Sequence, residues 1–127
     1  MKTLTKSEEQ LMRILWDIEK GFVNDVLEHL PEPKPAYNTV STIIRILEKK
    51  GFVTHKAYGK SHRYYPLISK REYTRGYFRN FLGNYFSNSF QSLASFFAKE
   101  EKMSLKDLEE LKAIIEDQIE QKKNENQ

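Results

Sequence analysis

The fold is decided by residues 37–66, whose sequence is YNTVSTIIRILEKKGFVTHKAYGKSHRYYP. Apolar residues recur in its first half at the i, i+3, i+4 and i+7 positions of a helix: Val40, Ile43, Ile44 and Leu47. This spacing predicts an amphipathic helix over residues 37–50, ended by Gly51. Residues 52–66 place short β-prone segments on either side of Gly59, which predicts a β-hairpin.

The outer face of the predicted helix carries short hydrogen-bonding side chains followed by cations. Asn and Arg pair bidentately with adenine and guanine, Ser and Thr bind bases or phosphates, and a helix fits the major groove of DNA. A cationic hairpin directly after such a helix is the order of parts in a winged helix. DNA contacts are therefore predicted for Tyr37, Asn38, Thr39, Ser41, Thr42, Arg45 and Lys49 on the helix, and for Lys60, His62 and Arg63 on the hairpin.

The charge distribution favours the same kind of partner. The net charge of the chain is +3, but it is −3 over residues 1–33, +8 over residues 34–75 and −2 over residues 76–127. A local positive excess of this size indicates a polyanion such as double-stranded DNA. The alternative is a winged-helix interaction module whose basic face docks on an acidic protein, and the salt dependence of binding distinguishes the two.

The residues before this region predict two more helices. Thr5 and Glu8 have the spacing of a capping box, and the apolar pattern after them predicts a helix over residues 6–19. Asn24 is the predicted N-cap of a short second helix. Three prolines between residues 31 and 35 then predict an extended connection.

The remainder of the chain has a different composition. Nine of the sixteen aromatic residues lie between Tyr73 and Phe97, and their spacing predicts a helix with a wide apolar face. A break is predicted between Gly83 and Ser89, with a short helix after it. Ser104 is the predicted cap of a last helix, which precedes a polar tail over residues 122–127.

These apolar faces predict a homodimer, because a two-fold interface buries the same patch twice. There are three alternatives: these faces pack on the N-terminal part of the chain, on a membrane surface or on an unrelated partner. Dimer contacts are predicted for Tyr73, Tyr77, Phe78, Phe81, Tyr85, Phe90, Leu93, Phe97, Leu108, Leu111 and Ile115. The predicted fold is mainly α with a small β-hairpin wing: a winged helix-turn-helix DNA-binding domain over residues 1–68 and a helical dimerisation domain over residues 69–127.

Several functional classes find no support in the sequence. With no cysteine, the chain cannot form a disulfide or a thiolate metal site, and no motif pairs a nucleophile with its base. His55 and His62 could face each other across the hairpin, but no third metal ligand accompanies them. No stretch predicts membrane insertion or a signal peptide. We therefore expect a cytoplasmic protein that is not an enzyme and needs no metal or cofactor.

Seven short motifs follow one another along almost the whole chain. They are Thr5-Lys6-Ser7-Glu8, Leu15-Trp16-Asp17, Asn38-Thr39-Val40-Ser41-Thr42, Leu47-Glu48-Lys49-Lys50-Gly51-Phe52-Val53, Tyr64-Tyr65-Pro66, Ser92-Leu93 and Asp107-Leu108-Glu109-Glu110-Leu111. Through them the chain resembles the penicillinase-repressor (BlaI/MecI-type) family of bacterial transcriptional regulators. The resemblance implies a homodimeric repressor that binds palindromic operators, with Asn38, Thr39 and Thr42 close to the bases.

The resemblance also bears on how the protein is released from DNA. In relatives that control β-lactam resistance, a membrane-bound sensor protease cuts an Asn-Phe bond in the dimerisation domain. The corresponding pair here is Phe96-Phe97, so the Phe is present and the Asn is not. A sensor protease is therefore implied as a partner by position alone. Copper sensing through the C-terminal cysteine motif of other relatives is excluded, because this chain has no cysteine.

Overall fold

The computed structural model describes residues 2–100 and 102–126, and within them the chain forms six helices and one two-stranded hairpin. The elements are α1 (Lys6–Ile18), α2 (Val23–Glu28), α3 (Tyr37–Lys49), β1 (Val53–Tyr58), β2 (Ser61–Pro66), α4 (Lys70–Phe86), α5 (Phe90–Glu100) and α6 (Leu105–Glu125). The predicted fold class, mainly α with a hairpin after a helix-turn-helix, is confirmed.

The chain divides into two compact units, which meet between Tyr77 and Phe78. This boundary lies within α4, further along the chain than the predicted domain boundary after Ile68. The first turns of α4 therefore belong to the same compact unit as the helix-turn-helix. The functional division at residue 68 stays a prediction.

The start of α1 follows its sequence signal. Thr5 Oγ1 accepts a hydrogen bond from the Glu8 amide at 3.2 Å, and Glu8 Oε1 accepts one from the Thr5 amide at 3.0 Å. Glu8 also pairs with Lys50 Nζ at 2.6 Å, which ties α1 to the end of α3. Burial opposes ionisation of Glu8, but the hydrogen bonds from Lys50 and Thr5 outweigh it and hold the pKa of this carboxyl below its ordinary value.

The core of the first unit lies between α1, α2, α3 and the hairpin. The side chains of Val40, Ile44 and Leu47 are buried on the predicted inner face of α3, and Ile43 is partly buried beside them. The other buried residues of this core are Leu4, Leu11, Met12, Leu15, Val23, Val26, Leu30, Phe52, Val53 and Tyr64. Since the inner face of α3 is fixed by this packing, its outer face must point to solvent.

The hairpin is antiparallel and turns at Gly59, whose φ of +64° suits the first central position of a type II′ turn. Gly21 extends the pairing by one bridge, with both backbone hydrogen bonds to Tyr64 formed at 2.8 and 2.9 Å. A Cβ on Gly21 would lie 2.8 Å from Ile18 Cδ1 and 3.1 Å from Asp25 Cβ, so a larger residue would displace these side chains.

The predicted cap of α2 was wrong. Asn24 lies inside the helix and exposed, while Phe22 occupies the N-cap position. The Asp25 carboxylate accepts the Phe22 amide hydrogen at 2.8 Å, so the carboxylate does the capping from within the first turn. A phenylalanine is an unusual N-cap, and the local pattern favoured the nearby Asn instead.

The break predicted between Gly83 and Ser89 is confirmed, and α6 extends into the predicted polar tail. α4 continues through Gly83 to Phe86, and the chain breaks only at Ser87 and Asn88, whose φ values are +51° and +63°. α6 continues to Glu125, so most of the predicted polar tail is helical. The Ser104 cap with Asp107 at its third position is present as predicted.

Candidate nucleic-acid interface

The outer face of α3 is open to solvent. Asn38, Thr39, Thr42, Arg45 and Lys49 are exposed, and Ser41 is half-buried. The Thr42 hydroxyl donates its hydrogen to the Asn38 carbonyl at 2.8 Å, which leaves the hydroxyl oxygen free to accept. The helix therefore presents an amide, hydroxyls and cations that need not break internal contacts to bind a partner.

A groove of about 610 Å³ runs between α3, the start of α2 and the hairpin tip. The structure brings five of the predicted contact residues together on its walls: Tyr37, Ser41, Arg45, Lys60 and His62. It does not bring the other five there, since Asn38, Thr39, Thr42, Lys49 and Arg63 lie outside the groove lining. The predicted contacts thus occupy two adjoining surfaces of α3 and the hairpin.

The two faces of the hairpin carry different side chains. Lys56 pairs directly with Arg63 across the strands, on the opposite side of the pleat from His62. Both cations lie over the ring of Tyr58, at 5.6 and 5.7 Å from its centroid. This aromatic ring holds two like charges side by side at the hairpin tip.

The two hairpin histidines are diagonal neighbours and not direct partners. His55 pairs with Tyr64 in the strand register, while His62 pairs with Ala57. The two imidazoles nevertheless stack, with centroids 4.0 Å apart, and His55 Nδ1 contacts Glu48 at the end of α3. In residues 2–100 and 102–126, no three His, Cys, Asp or Glu side chains group closely enough to hold a metal.

The positive charges of the central segment fall into two groups. Lys34 and Lys50 are engaged internally: Lys34 Nζ binds three carbonyls at the end of α2, and Lys50 binds Glu8. Arg45, Lys49 and Lys60 form no ion pair within the described residues. Arg45 and Lys60 line the groove together with one carboxylate, Asp25, and Lys49 lies beside it, so cations outnumber anions on this surface and favour an anionic partner.

Buried Tyr64 is one of the residues that line the groove. Its burial, together with nearby Glu48, raises the pKa of its hydroxyl above the ordinary value. Tyr64 therefore stays neutral, and the cations around it are not offset by a phenolate.

The predicted dimer contacts differ in where they lie within their own unit. Leu93 is buried and Phe81 is half-buried, whereas Tyr73 packs against the core of the first unit. The other eight have exposed side chains: Tyr77, Phe78, Tyr85, Phe90, Phe97, Leu108, Leu111 and Ile115.

The Phe96–Phe97 bond, the predicted cleavage position, lies within α5. Both rings are close to half exposed. Among the described residues, no helix has the length and apolar character that crossing a membrane requires.

Sequence reasoning missed part of the groove. Phe22, Tyr58 and Ser61 line it, yet none was predicted to contact a ligand. Tyr58 and Ser61 flank the Gly59 turn, so their place at the hairpin tip could have been found from that signal. Phe22 reaches the groove through the folding of α2 against α3, which no local pattern shows.

Comparison with known proteins gives a consistent set of matches. A family model described as "Penicillinase repressor" matches residues 4–117. The methicillin resistance regulatory protein MecI of Staphylococcus aureus is 28% identical over 113 residues, covering 88% of this chain and 92% of that protein. The penicillinase repressor of Bacillus licheniformis is 24% identical over 121 residues, covering 94% of each. A solution structure of the DNA-binding domain of the repressor BlaI aligns with a TM-score of 0.49 and 26% identity, over 57% of this chain and 94% of that one.

Proposed function

The chain belongs to the penicillinase repressor family, and from this premise we propose that it is a DNA-binding transcriptional repressor that binds a palindromic operator as a homodimer. The observation that carries the proposal is the solvent-exposed outer face of α3, bordered by a groove whose cations Arg45 and Lys60 form no ion pair with any residue that the structure describes. Family membership also agrees with the absence of enzymatic motifs in the sequence.

In the proposed complex, α3 enters the major groove of the duplex. Asn38, Thr39 and Thr42 contact base edges, because their short side chains project from the first turns of the helix. Arg45, Lys49 and Lys60 contact phosphates beside them. The hairpin lies along the neighbouring backbone, where the stacked Lys56 and Arg63 add charge without sequence preference.

The second unit supplies the dimer contacts in this proposal. Its exposed apolar side chains include Tyr85, Phe90 and Ile115, which a second copy would cover. Two subunits held together by this surface would present two α3 helices to two half-sites, and the linked contacts would bind far more tightly than one alone.

The proposal is tested by separating base contacts from phosphate contacts. Duplexes bound by the full-length chain are first selected from random DNA. Asn38→Ala and Thr42→Ala are then expected to weaken binding to the selected duplex by about 1 to 3 kcal/mol, with little change on unrelated DNA. Lys60→Ala is expected to weaken both and to lower the slope of log affinity against log salt by about one unit.

The matched control is Lys106→Ala, which removes an exposed cation from α6 in the second unit. It should leave affinity and salt slope unchanged. Equal losses on all DNA from the α3 substitutions would contradict the assigned roles. If no duplex is enriched and the chain instead binds an acidic protein through Lys60, the interaction-module alternative is correct.

Release from DNA is proposed to follow the route that the resemblance implies, cleavage between Phe96 and Phe97 by a membrane-bound sensor protease. The bond lies within α5, so cleavage requires this helix to open locally. An immunoblot of induced cells should then show a shorter fragment. Full-length protein alone, in cells whose target genes are derepressed, would contradict this step.

A further inference from the structure

The first turns of α4 pack against α1 and the segment that follows α3. Tyr73 is the fastening residue: its hydroxyl donates a hydrogen bond to Glu9 Oε2 on α1 at 2.8 Å. Its ring lies 5.6 Å from that of Trp16 and 6.0 Å, edge to face, from that of Phe52. One side chain of α4 thus touches α1 and the segment that follows α3.

The partners of Tyr73 are themselves held in place. Phe52 is fully buried directly after the end of α3. The Trp16 indole nitrogen donates to the Ile68 carbonyl at 2.9 Å, immediately before α4. The other oxygen of Glu9 accepts from Arg13 at 2.5 Å. Tyr73 therefore docks on a surface that is already ordered, and its own position follows from it.

The Tyr73 hydroxyl is suited to a lasting contact. Burial and the hydrogen bond to Glu9 raise its pKa to about 12, so it keeps its proton and remains a donor throughout the neutral range. The next tyrosine along the helix, Tyr77, is 61% exposed and forms no side-chain hydrogen bond within residues 2–100 and 102–126. The anchor is thus confined to the first turns of α4.

We infer that Tyr73 is a positioning residue that fixes the direction in which α4 leaves the DNA-binding unit, and thereby the half-site spacing that the repressor accepts. The inference rests on the proposed function, since it concerns a dimer on a two-part operator. Tyr73 touches no DNA in this account. It acts through α4, which runs without a break from Lys70 to Phe86.

The physical reason is the difference between a stiff and a loose connection. An anchored helix leaves its unit at one angle, so two linked half-site contacts form only at matching spacings. Without the anchor, the residues around Ser69 become a hinge, and the two recognition helices sample many separations. A loose connection lowers the effective concentration of the second recognition helix at a half-site with the correct spacing. It raises that concentration at half-sites with incorrect spacings.

The experiment uses the full-length chain and the palindromic duplex that it selects from random DNA. Affinity is measured on that duplex, on versions with one base pair inserted or removed at the centre, and on a duplex with a single half-site. For the unsubstituted chain, we expect changed spacing to weaken binding by about tenfold. For Tyr73→Ala, we expect this discrimination to fall below about threefold, with single half-site affinity within about twofold of the unsubstituted chain.

Three variants make the result specific. Thr74→Ala changes the exposed neighbour of Tyr73 on the same helix and should keep the full spacing preference. Tyr73→Phe keeps the ring contacts, loses only the bond to Glu9, and should restore most of the preference. Tyr73→Leu replaces Tyr73→Ala, with the same expectations, if circular dichroism shows that the alanine variant does not fold.

Retention of the normal spacing preference by a folded Tyr73→Ala or Tyr73→Leu variant would overturn the inference. Equal losses on the single half-site and on every spacing would overturn it too, because they indicate damage to the DNA-binding unit itself. If the unsubstituted chain binds DNA but accepts all spacings equally, the inference about Tyr73 is wrong and the proposed function still stands. An unsubstituted chain that selects no duplex would identify the proposed function as the point of failure.

Discussion

The two compact units differ in how many of their apolar side chains are buried. In the first unit, the inner faces of α1, α2 and α3 close around a continuous core. Beyond Tyr77, in residues 78–100 and 102–126, the only buried apolar side chains are Leu82 and Leu93. α6 has no buried residue over its described length, although five Leu and Ile side chains from Leu108 to Ile119 are exposed on it.

The difference shows which part of the chain depends on a partner. A helix in water gains most of its stability from packing an apolar face, and each fully buried Leu or Ile contributes about 1.5 to 3 kcal/mol. The first unit gains this stabilisation from burial within one chain, whereas most apolar side chains of the second unit stay exposed. A second copy of the chain, as proposed above, would supply the missing burial.

The largest expected effect contrasts one phenylalanine from each region. Phe52→Ala is expected to lower the free energy of unfolding by about 3 to 5 kcal/mol at any protein concentration, because Phe52 is fully buried in the first core. Phe90→Ala, at a ring that is 68% exposed, is expected to destabilise only at concentrations that favour the dimer. Urea unfolding of each variant at low and high protein concentration measures both effects.

The stability of the Phe90→Ala variant can also contradict the dimer proposal. A Phe90→Ala variant whose loss of stability does not depend on concentration would mean that the second unit closes its own core. The dimer proposal would then lose its main support.

The next effect concerns the α6 face. Ile115→Glu is expected to dissociate the dimer and weaken operator binding by about a hundredfold, because a charge cannot be buried unpaired in an apolar interface and the avidity of two half-sites is lost. Sedimentation and gel-shift titration measure the two parts. Ala113→Glu places the same residue at an exposed position of the same helix and should change neither.

The smallest effect is a pH dependence within the first unit. The pKa of Glu8 is held below its ordinary value, so the ionised pair with Lys50 adds stability above that value, and this stability is lost as the pH falls through the lowered pKa. Urea unfolding at neutral pH and at about pH 3 should show the loss. Glu8→Gln should reduce this part of the acid sensitivity, and an unchanged acid response in that variant would contradict the assignment.

The features that the sequence predicted well are those with a local physical cause. The Thr5 capping box, the inner face of α3 and the Gly59 turn each depend on residues within about two helical turns of one another. The exposed face of α3 followed from the same periodicity, so most of the candidate site could be predicted once its helix was known.

The features that the sequence could not predict depend on distant partners. The Tyr73 bond to Glu9 spans 64 positions and the Lys50 pair with Glu8 spans 42. The aromatic row that contains Tyr73 indicated a dimer surface, yet this one ring packs inside the first unit. The break after α4 lies at Ser87 and Asn88, within the predicted interval from Gly83 to Ser89, and Gly83 itself does not end the helix because a single glycine costs a helix only about 1 kcal/mol.

In the proposed complex, two chains bind one operator through their exposed α3 helices. The most direct test is sedimentation of the full-length chain with the palindromic duplex that it selects from random DNA. We predict a complex that contains two chains of 15.1 kDa each per duplex, reached without a stable one-chain species. A complex that saturates at one chain per duplex, with the full affinity for the selected sequence, would contradict the account.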